Sequence, residues 1–338
     1  MQNKTTRVLI ETFVRKALRD IRDNPDRTIR NLVDMAQQFS KGRFQQHFFA
    51  AAQTMLQNEN SPYYGLVQDV VNHVEHDRLM TFGMNIGYNG CNQGAKIIRV
   101  TEAAEGDNIP WAITLHMPEQ ITDVQLKDYQ HLIDQGEKLG VHVWFMFCTA
   151  EPEALLPIVA AHPDSAFSLF LEPELVTERF LDEASEHNHL LLSIHNHEEA
   201  ADLFAVLRER KLLYAAHAFY DEANADEILT GDMVQTMQQD APVSVLIDAP
   251  GCGSDTQQRV HAYVDQARAD QLYRTLLWEF TLDNRFVDTV ISGDACSAGF
   301  TSEGYLYTLQ EVWDEPEMRF HHGSLPGILR RAFPKEGT

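Results

Sequence analysis

The chain has 338 residues, of which 44% are hydrophobic, enough for one large domain or for a barrel-sized domain with an appendage. Its 27 Lys and Arg residues against 50 Asp and Glu residues give a formal net charge of −23. Such an acidic surface repels phosphate backbones and anionic lipid, which argues against nucleic acid or a membrane surface as the main partner. No apolar run approaches the roughly 20 residues of a membrane span, and the amphipathic N-terminal segment does not have the pattern of a signal peptide, so we expect a cytoplasmic protein.

Residues 5 to about 78 have the apolar spacing of helices only. The pattern predicts four short helices, over about 5–21, 27–39, 44–56 and 63–74. We assign residues 1–78 to a helical N-terminal cap that packs on the domain after it.

Residues 79–107 begin with a Gly- and Asn-rich stretch that has four glycines between Gly83 and Gly94. A phosphate-binding loop would need G-x-x-x-x-G-K-[ST], or G-x-G-x-x-G after a strand, and neither is present. The composition instead predicts a linker with a tight turn, followed by a helix over Ala95–Ala104.

Apolar, β-rich runs alternate with helical patterns over residues 108–271. The predicted strands are Trp111–Met117, Val141–Phe147, Ala166–Leu171, His189–His195, Leu212–Phe219 and Val243–Asp248. The predicted helices are about Ile121–Leu139, with a Thr122/Asp123 cap, and about Val176–Glu186, Glu198–Arg210, Asp226–Gln238 and Thr256–Ala269. Buried strands joined by helices indicate a parallel sheet with right-handed crossovers. Six such units predict a full or partial α/β barrel, whose chemistry lies at the carboxyl ends of the strands.

The tail, residues 272–338, has a different pattern of short strand pieces with Asp-Asn and Glu-Gly turns, then a closing helix over Ser324–Arg331. We predict a small α+β extension rather than another barrel unit.

Side chains that can bind a metal follow several of the predicted strands. They are His116, His195, His197, His217 and Asp248. A His-x-His pair at a strand end can place two imidazoles beside a metal, which predicts a metal-dependent hydrolase. However, a second His-x-His, at His187 and His189, straddles a turn, so the spacing is not selective in this chain. The other interpretation is a set of polar residues that line a ligand pocket.

Four segments carry a resemblance to a known family. NIPWAITL, from Asn108, is similar to a first barrel strand, and FMFCTAEP, from Phe145, is similar to a second strand that ends in Gly-Gly-Glu-Pro. LLYAAHAFYDEANADEILTGDMV is similar to a fifth strand and its helix, and GDACSAGFTSEGYLYTLQE is similar to a Cys-x-x-Gly turn and hairpin, with Cys296 and Gly299 in place. The chain therefore resembles the radical S-adenosylmethionine (radical SAM) superfamily, in the form that carries a SPASM-like C-terminal extension.

The departures from that family decide what the resemblance implies. Family members bind a [4Fe–4S] cluster through C-x-x-x-C-x-x-C after the first strand, because the cluster requires thiolate ligands. Here the loop is HMPEQITDVQL, which is shorter and has no cysteine. The Gly-Gly-Glu-Pro contact to S-adenosylmethionine corresponds to Thr149, Ala150, Glu151 and Pro152, so we expect no iron–sulfur cluster and retain S-adenosylmethionine as a candidate ligand.

The cysteines offer one alternative source of cluster ligands. Cys91, Cys148, Cys252 and Cys296 lie far apart in sequence and form no C-x-x-C pair. The simplest interpretation is free thiols; convergence of several of them on a cluster is the alternative.

The fold predicted by the resemblance is α/β, a radical-SAM-like partial (β/α)6 barrel over residues 108–271. It has a helical N-terminal cap and a SPASM-like extension over residues 272–338. The first functional hypothesis is a pseudoenzyme, a non-catalytic binding or regulatory partner of a related cluster-containing enzyme, which takes a peptide or small molecule. The alternatives are a metal-dependent hydrolase that uses the His/Asp-rich barrel mouth, and an active radical SAM enzyme with atypical cluster ligation.

Overall fold

The computed structural model describes residues 2–21, 24–40 and 42–335. The chain forms two compact units that interleave along the sequence. The first unit comprises the described residues up to Ser40, together with Gln46–Met80 and Leu192–Asn284. The second unit comprises the short described segment that ends at Gln45, together with Thr81–Leu191 and the described residues from Arg285 onwards. The sequence predicts domain boundaries at residues 78, 107 and 271, and these boundaries stay a prediction.

The four predicted N-terminal helices are confirmed. They are α1 (Gln2–Asp20), α2 (Pro25–Phe39), α3 (Arg43–Met55) and α4 (Pro62–His73). Proline is the first residue of both α2 and α4, where its missing N–H costs no helical hydrogen bond. The Ser61 hydroxyl accepts the Tyr63 N–H and caps α4.

Over the described residues the sheet has nine strands, which are β1 (Ala112–His116), β2 (Val143–Phe147), β3 (Ala166–Leu171), β4 (Leu190–His195), β5 (Tyr214–Tyr220), β6 (Val243–Asp248), β7 (Leu276–Glu279), β8 (Ala298–Phe300) and β9 (Leu306–Thr308). The sheet order is β7-β6-β5-β4-β3-β2-β1-β8-β9. Strand pairs within either unit are parallel, apart from β8 with β9. Because β1 to β6 follow in chain order, the predicted partial-barrel fold class is confirmed.

Helices alternate with these strands, as the sequence predicts. They are α7 (Asp123–Leu139), α8 (Leu156–Ala161), α9 (Glu178–Ala184), α10 (Ala201–Glu209), α11 (Ala225–Leu229), α12 (Asp232–Asp240) and α13 (Ser254–Ala269). Of these, α8 was not among the predicted helices. Thr122 and Gln125 form a capping box at the start of α7, close to the predicted cap. The single helix predicted over Asp226–Gln238 is divided at Gly231, whose φ is +90°.

The Gly- and Asn-rich segment is helical, and the predicted turn there is wrong. Helix α5 (His76–Met84) continues into a π-helix (Asn85–Gly94) and then into α6 (Ala95–Glu105). Asn85 and Asn89 donate side-chain hydrogen bonds to backbone carbonyls of the 163–165 segment. These tertiary partners stabilise a helical backbone in a composition that on its own favours a turn.

The prediction that the tail adds no further barrel unit is wrong for its first part. Strand β7 pairs in parallel with β6, and helix α14 (Phe280–Ser292) follows it at once. Glu279 caps the start of this helix. Its carboxylate accepts the Leu282 N–H, and its own N–H donates to the Asp283 carboxylate. The chain then forms the β8–β9 hairpin and closes with α15 (Leu325–Ala332), as predicted for the end of the tail.

Within the described residues, no helix has both the length and the apolar character that a membrane span needs.

Candidate functional site

The carboxyl end of β1, in the second unit, is the position where the sequence indicates that cluster ligands are missing. β1 ends at His116, and the chain reaches the cap of α7 at Thr122 after a short loop. Met117 is buried and donates its N–H to the Phe147 carbonyl, which ties the loop to β2. No residue of this loop is a cysteine, so it offers no thiolate to an iron–sulfur cluster.

Aromatic rings cover the carboxyl ends of β1, β2 and β3 instead. The register places His116, Phe147 and Phe170 side by side on one face of the sheet. His116 stacks on Phe147 with ring centroids 5.0 Å apart, and Phe147 stacks on Phe170 at 4.4 Å. The His116 Nε2 atom lies 3.0 Å from the Tyr307 hydroxyl of β9. The stacked rings form a continuous aromatic surface, of which His116 is exposed, Phe147 half-buried and Phe170 buried. Such ring pairs gain about 0.5–1.5 kcal/mol beyond their buried area.

The segment Thr149–Pro152 follows β2 directly. The Cys148 N–H donates to the Phe170 carbonyl, and the Cys148 thiol donates to the Ala150 carbonyl at 3.0 Å. Glu151 has φ 44° and ψ 57°, a left-handed conformation that is uncommon outside glycine, and its side chain is exposed. Pro152 is buried and begins a short 3-10 turn. The segment therefore forms a tight turn that presents the Glu151 carboxylate at the end of β2.

Three of the four cysteines have the properties of structural thiols, because they are buried. The fourth, Cys252, is half-buried, and burial raises its pKa to about 11. Burial raises the pKa of Cys148 to about 11 and that of Cys91 to about 12, so both remain protonated at neutral pH. Cys296 is fully buried, and burial raises its pKa as well. Among the described residues, no group of three or more potential metal-ligand atoms close enough to share an ion includes a cysteine. The residues at the end of β1 do not fit a cluster.

Three of the predicted metal-binding histidines lie close together in the first unit. The His195 and His217 rings stack with centroids 5.3 Å apart and an angle of 15°, and the His197 ring lies edge-on to His195 at 5.6 Å. His217 is 2% exposed and pairs with the Ser193 hydroxyl at 3.1 Å. Burial lowers the pKa of His217 to about 3, so its imidazole is neutral. The neutral His217 ring therefore adds no positive charge to the stack that it forms with His195.

Asp248 projects from the other face of the same sheet. It is opposite Tyr220 in the register, whereas His217 is opposite Val245, and alternate residues of a strand face opposite sides. The Asp248 carboxylate accepts hydrogen bonds from Gln257 of α13 and from Thr281 of α14. In this unit the aspartate is thus separated from His195 and His217 by the sheet. The metal role of these residues and of His116 stays a prediction.

Sequence reasoning missed a buried acid at the end of β7. Glu279 is fully buried, accepts the Tyr220 hydroxyl at 2.8 Å, and has its pKa raised to about 7 by burial. The sequence does contain a signal for this acid. Three successive strands end in polar or acidic residues, which are Tyr220, Asp248 and Glu279. That signal can be recognised only if residues 276–279 are first predicted to be a strand. A run of four residues was too short for that prediction.

No protein-family model matches the chain, and no curated protein matches it. Among solved structures, SuiB of Streptococcus suis bound to S-adenosylmethionine is 9% identical, with a TM-score of 0.48 over 69% of this chain and 66% of SuiB. SuiB bound to the precursor peptide SuiA is 10% identical, with a TM-score of 0.45 over 63% of each chain. A histidine-tagged anSMEcpe with bound AdoMet is 11% identical, with a TM-score of 0.43 over 68% of this chain and 81% of that chain.

This chain therefore spans slightly less than two thirds of the length of SuiB. Matches of about 10% identity with TM-scores below 0.5 do not establish a fold, so the fold described here rests on strand order and register. On that basis the parallel, helix-alternating sheet of this chain is the partial α/β barrel that the sequence predicted.

Proposed function

We propose that this chain is a radical-SAM-like protein without the [4Fe–4S] cluster, and that it acts as a non-catalytic binding or regulatory protein. The observation that carries the proposal is the carboxyl end of β1. A loop without cysteine leads directly into α7 there, and the stacked rings of His116, Phe147 and Phe170 cover the strand ends. A [4Fe–4S] cluster of this kind requires thiolate ligands, and the phenyl rings of Phe147 and Phe170 cannot replace them.

The ligand class follows from the aromatic face. Stacked rings beside a turn that presents the Glu151 carboxylate suit a planar, cationic or zwitterionic ligand. S-adenosylmethionine has a planar adenine and a positive charge, so it is one such ligand, held at the Thr149–Pro152 turn without being cleaved. A peptide with an aromatic side chain is the other candidate, and a related cluster-containing enzyme is the partner that such a protein would regulate.

Equilibrium dialysis with S-adenosylmethionine tests the ligand class. The wild-type chain is compared with Phe147→Ala, which removes the central ring of the stack, and with Phe286→Ala, which removes a 52% exposed ring from α14. We expect binding by the wild type and by Phe286→Ala, and binding weaker by about tenfold in Phe147→Ala. The loss of the central ring breaks up the aromatic face, and a base–aromatic contact contributes about 1–3 kcal/mol.

Equal affinities for the three proteins would show that the aromatic face does not bind the probe. The same conclusion would follow if the wild type bound no S-adenosylmethionine. A titration with an aromatic peptide would then decide between the two ligand classes. Formation of 5′-deoxyadenosine from S-adenosylmethionine under reducing conditions would contradict the non-catalytic proposal itself.

A further inference from the structure

A cluster of metal-ligand side chains lies in the second unit, apart from the strand ends considered above. Asp134 and Glu137 are three residues apart on α7, so they share one face of that helix. His162 follows the last residue of α8. The ligand atoms of these three side chains all lie within 4.8 Å of one another.

The distances at His162 match the spacing of ligands around a shared ion. Its Nδ1 atom is 3.6 Å from Glu137 Oε1 and 3.8 Å from Asp134 Oδ1. Both separations are longer than a normal hydrogen bond. Ligands bound to a tetrahedral Zn²⁺ at about 2.0–2.2 Å are about 3.4 Å apart, close to the separations here.

The His162 side chain also lacks the hydrogen bonds that a buried imidazole normally makes. It is 3% exposed, and Nδ1, the atom that faces the two carboxylates, lies beyond hydrogen-bond distance of both. The Nδ1 lone pair is therefore available to an ion between the three side chains. The Nε2 atom, on the far side of the ring, is buried without a partner among the described residues and takes no part in the site.

The charge of the cluster is not balanced by a basic side chain. No Lys or Arg within the described part of the chain forms an ion pair with Asp134 or Glu137. Two carboxylates and one imidazole then attract a divalent cation.

A second cluster of similar composition provides the contrast. His261, Asp265 and Asp283 in the first unit are equally close to one another. There the Arg268 guanidinium donates to both Asp283 oxygens at 2.8 Å and also pairs with Asp265. An internal cation already satisfies that cluster, and none does so for the cluster on α7 among the residues described.

The π-helix holds the segment that carries the histidine. Asn85 donates to two carbonyl oxygens of the 162–165 segment, at 2.9 and 2.7 Å, and Asn89 donates to a third at 2.8 Å. The Ser165 hydroxyl donates to Glu137 at 2.7 Å, which connects the segment to α7. Outer hydrogen bonds of this kind orient the ligands of a metal site before the ion binds.

From this geometry we infer that Asp134, Glu137 and His162 form a binding site for a divalent transition-metal ion of the Zn²⁺ class, preorganised by the π-helix. Three protein ligands leave a coordination position for water, and the ion connects α7 to the segment before β3. The site is independent of the aromatic face, so it does not depend on the proposed function.

Isothermal titration of chelator-treated protein with Zn²⁺ tests the inference. Asp134→Asn is the informative variant, because its side chain is 55% exposed and its replacement leaves the buried histidine in place. We expect one equivalent of Zn²⁺ bound by the wild type, and affinity weaker by about tenfold or more in Asp134→Asn. The thermal midpoint should rise with Zn²⁺ in the wild type and not in the variant.

Asp265→Asn is the matched control, since it alters the cluster that Arg268 already neutralises. It should bind Zn²⁺ as the wild type does, and both variants should have wild-type midpoints in chelator. Zn²⁺ binding that Asp134→Asn leaves unchanged would place the ion elsewhere and overturn the inference. A wild-type chain that binds no Zn²⁺ would overturn it as well.

Discussion

The close approach of two glycines fixes the π-helix against α7, and its disruption gives the sharpest stability prediction. Gly94 is the last residue of the π-helix, and Gly140 follows the end of α7 with a φ of +99°. A Cβ on Gly94 would overlap the Gly140 carbonyl oxygen and lie 2.8 Å from the Asn89 carbonyl oxygen, whereas real Cβ atoms essentially never come within 3.0 Å. Gly94→Ala must therefore displace backbone rather than a side chain.

The magnitude follows from the nature of those contacts. Added atoms in a well-packed region cost about 1–3 kcal/mol, and a clash with two backbone carbonyls lies at or beyond the upper end, at about 3 kcal/mol. Gly87 is in the same π-helix, but a Cβ there meets nothing within 4 Å. Gly87→Ala should stabilise the chain by about 0.5–1 kcal/mol, because it lowers the entropy of the unfolded chain. The two variants should differ by about 4 kcal/mol.

Urea denaturation followed by tryptophan fluorescence measures this difference, since Trp144 in the second unit is fully buried. With a slope of about 3 kcal/mol/M, the two midpoints should be separated by more than about 1 M. Equal midpoints for Gly94→Ala and Gly87→Ala would refute the close approach of Gly94 to Gly140.

Two further predictions concern buried charges in the first unit. Burial raises the pKa of Glu279 from 4.5 to about 7. Between these two values the folded chain retains a proton that the unfolded chain releases. The free energy of unfolding should therefore fall by up to about 3 kcal/mol as the pH rises from 4.5 through 7. Glu279→Gln should remove this dependence from urea midpoints measured at pH 5 to 8, and an unchanged slope would contradict the burial of an ionisable group there. Arg268→Gln should cost about 3 kcal/mol, because it leaves Asp283, which is 4% exposed, without its cation. In a double-mutant cycle the same change should cost much less in an Asp283→Asn background; equal costs would argue against the pair.

The strands could be predicted from the sequence because a parallel sheet buries both faces, which gives continuous apolar runs. β3 and β6 have the predicted bounds, and the predicted cap of α7 at Thr122 is present. β7 escaped prediction because it has four residues, and the Asp283-Asn284 pair after it is typical of turns. In the chain this pair lies inside α14, where Asp283 accepts the Glu279 N–H.

The helical Gly- and Asn-rich segment could not be predicted because its stability is tertiary. Glycine and asparagine both favour turns when considered locally. Here Gly94 allows two backbones to approach, and the Asn85 and Asn89 amides bind carbonyls more than 70 residues away in the chain. None of these contacts has a signature in local composition.

The sequence identified candidate site residues at the strand ends, but not the faces on which they lie. His195 and His217 stack on one face of the sheet, whereas Asp248 binds helix residues on the other. A shift of one residue in register exchanges the faces, and the apolar pattern of a doubly buried strand does not distinguish them. The aromatic stack at Phe147 and Phe170 likewise depends on the register of β2 with β3.

The most direct test of the central claim is the iron and acid-labile sulfide content after anaerobic reconstitution with ferrous iron and sulfide. The absence of cysteine in the loop after β1 and the protonated, buried thiols of Cys91 and Cys148 predict a colourless protein with no bound iron or sulfide. Cys148→Ser should give the same result. Stoichiometric iron and sulfide in the wild-type chain, lost in Cys148→Ser, would contradict the account and support an active radical SAM enzyme with atypical cluster ligation.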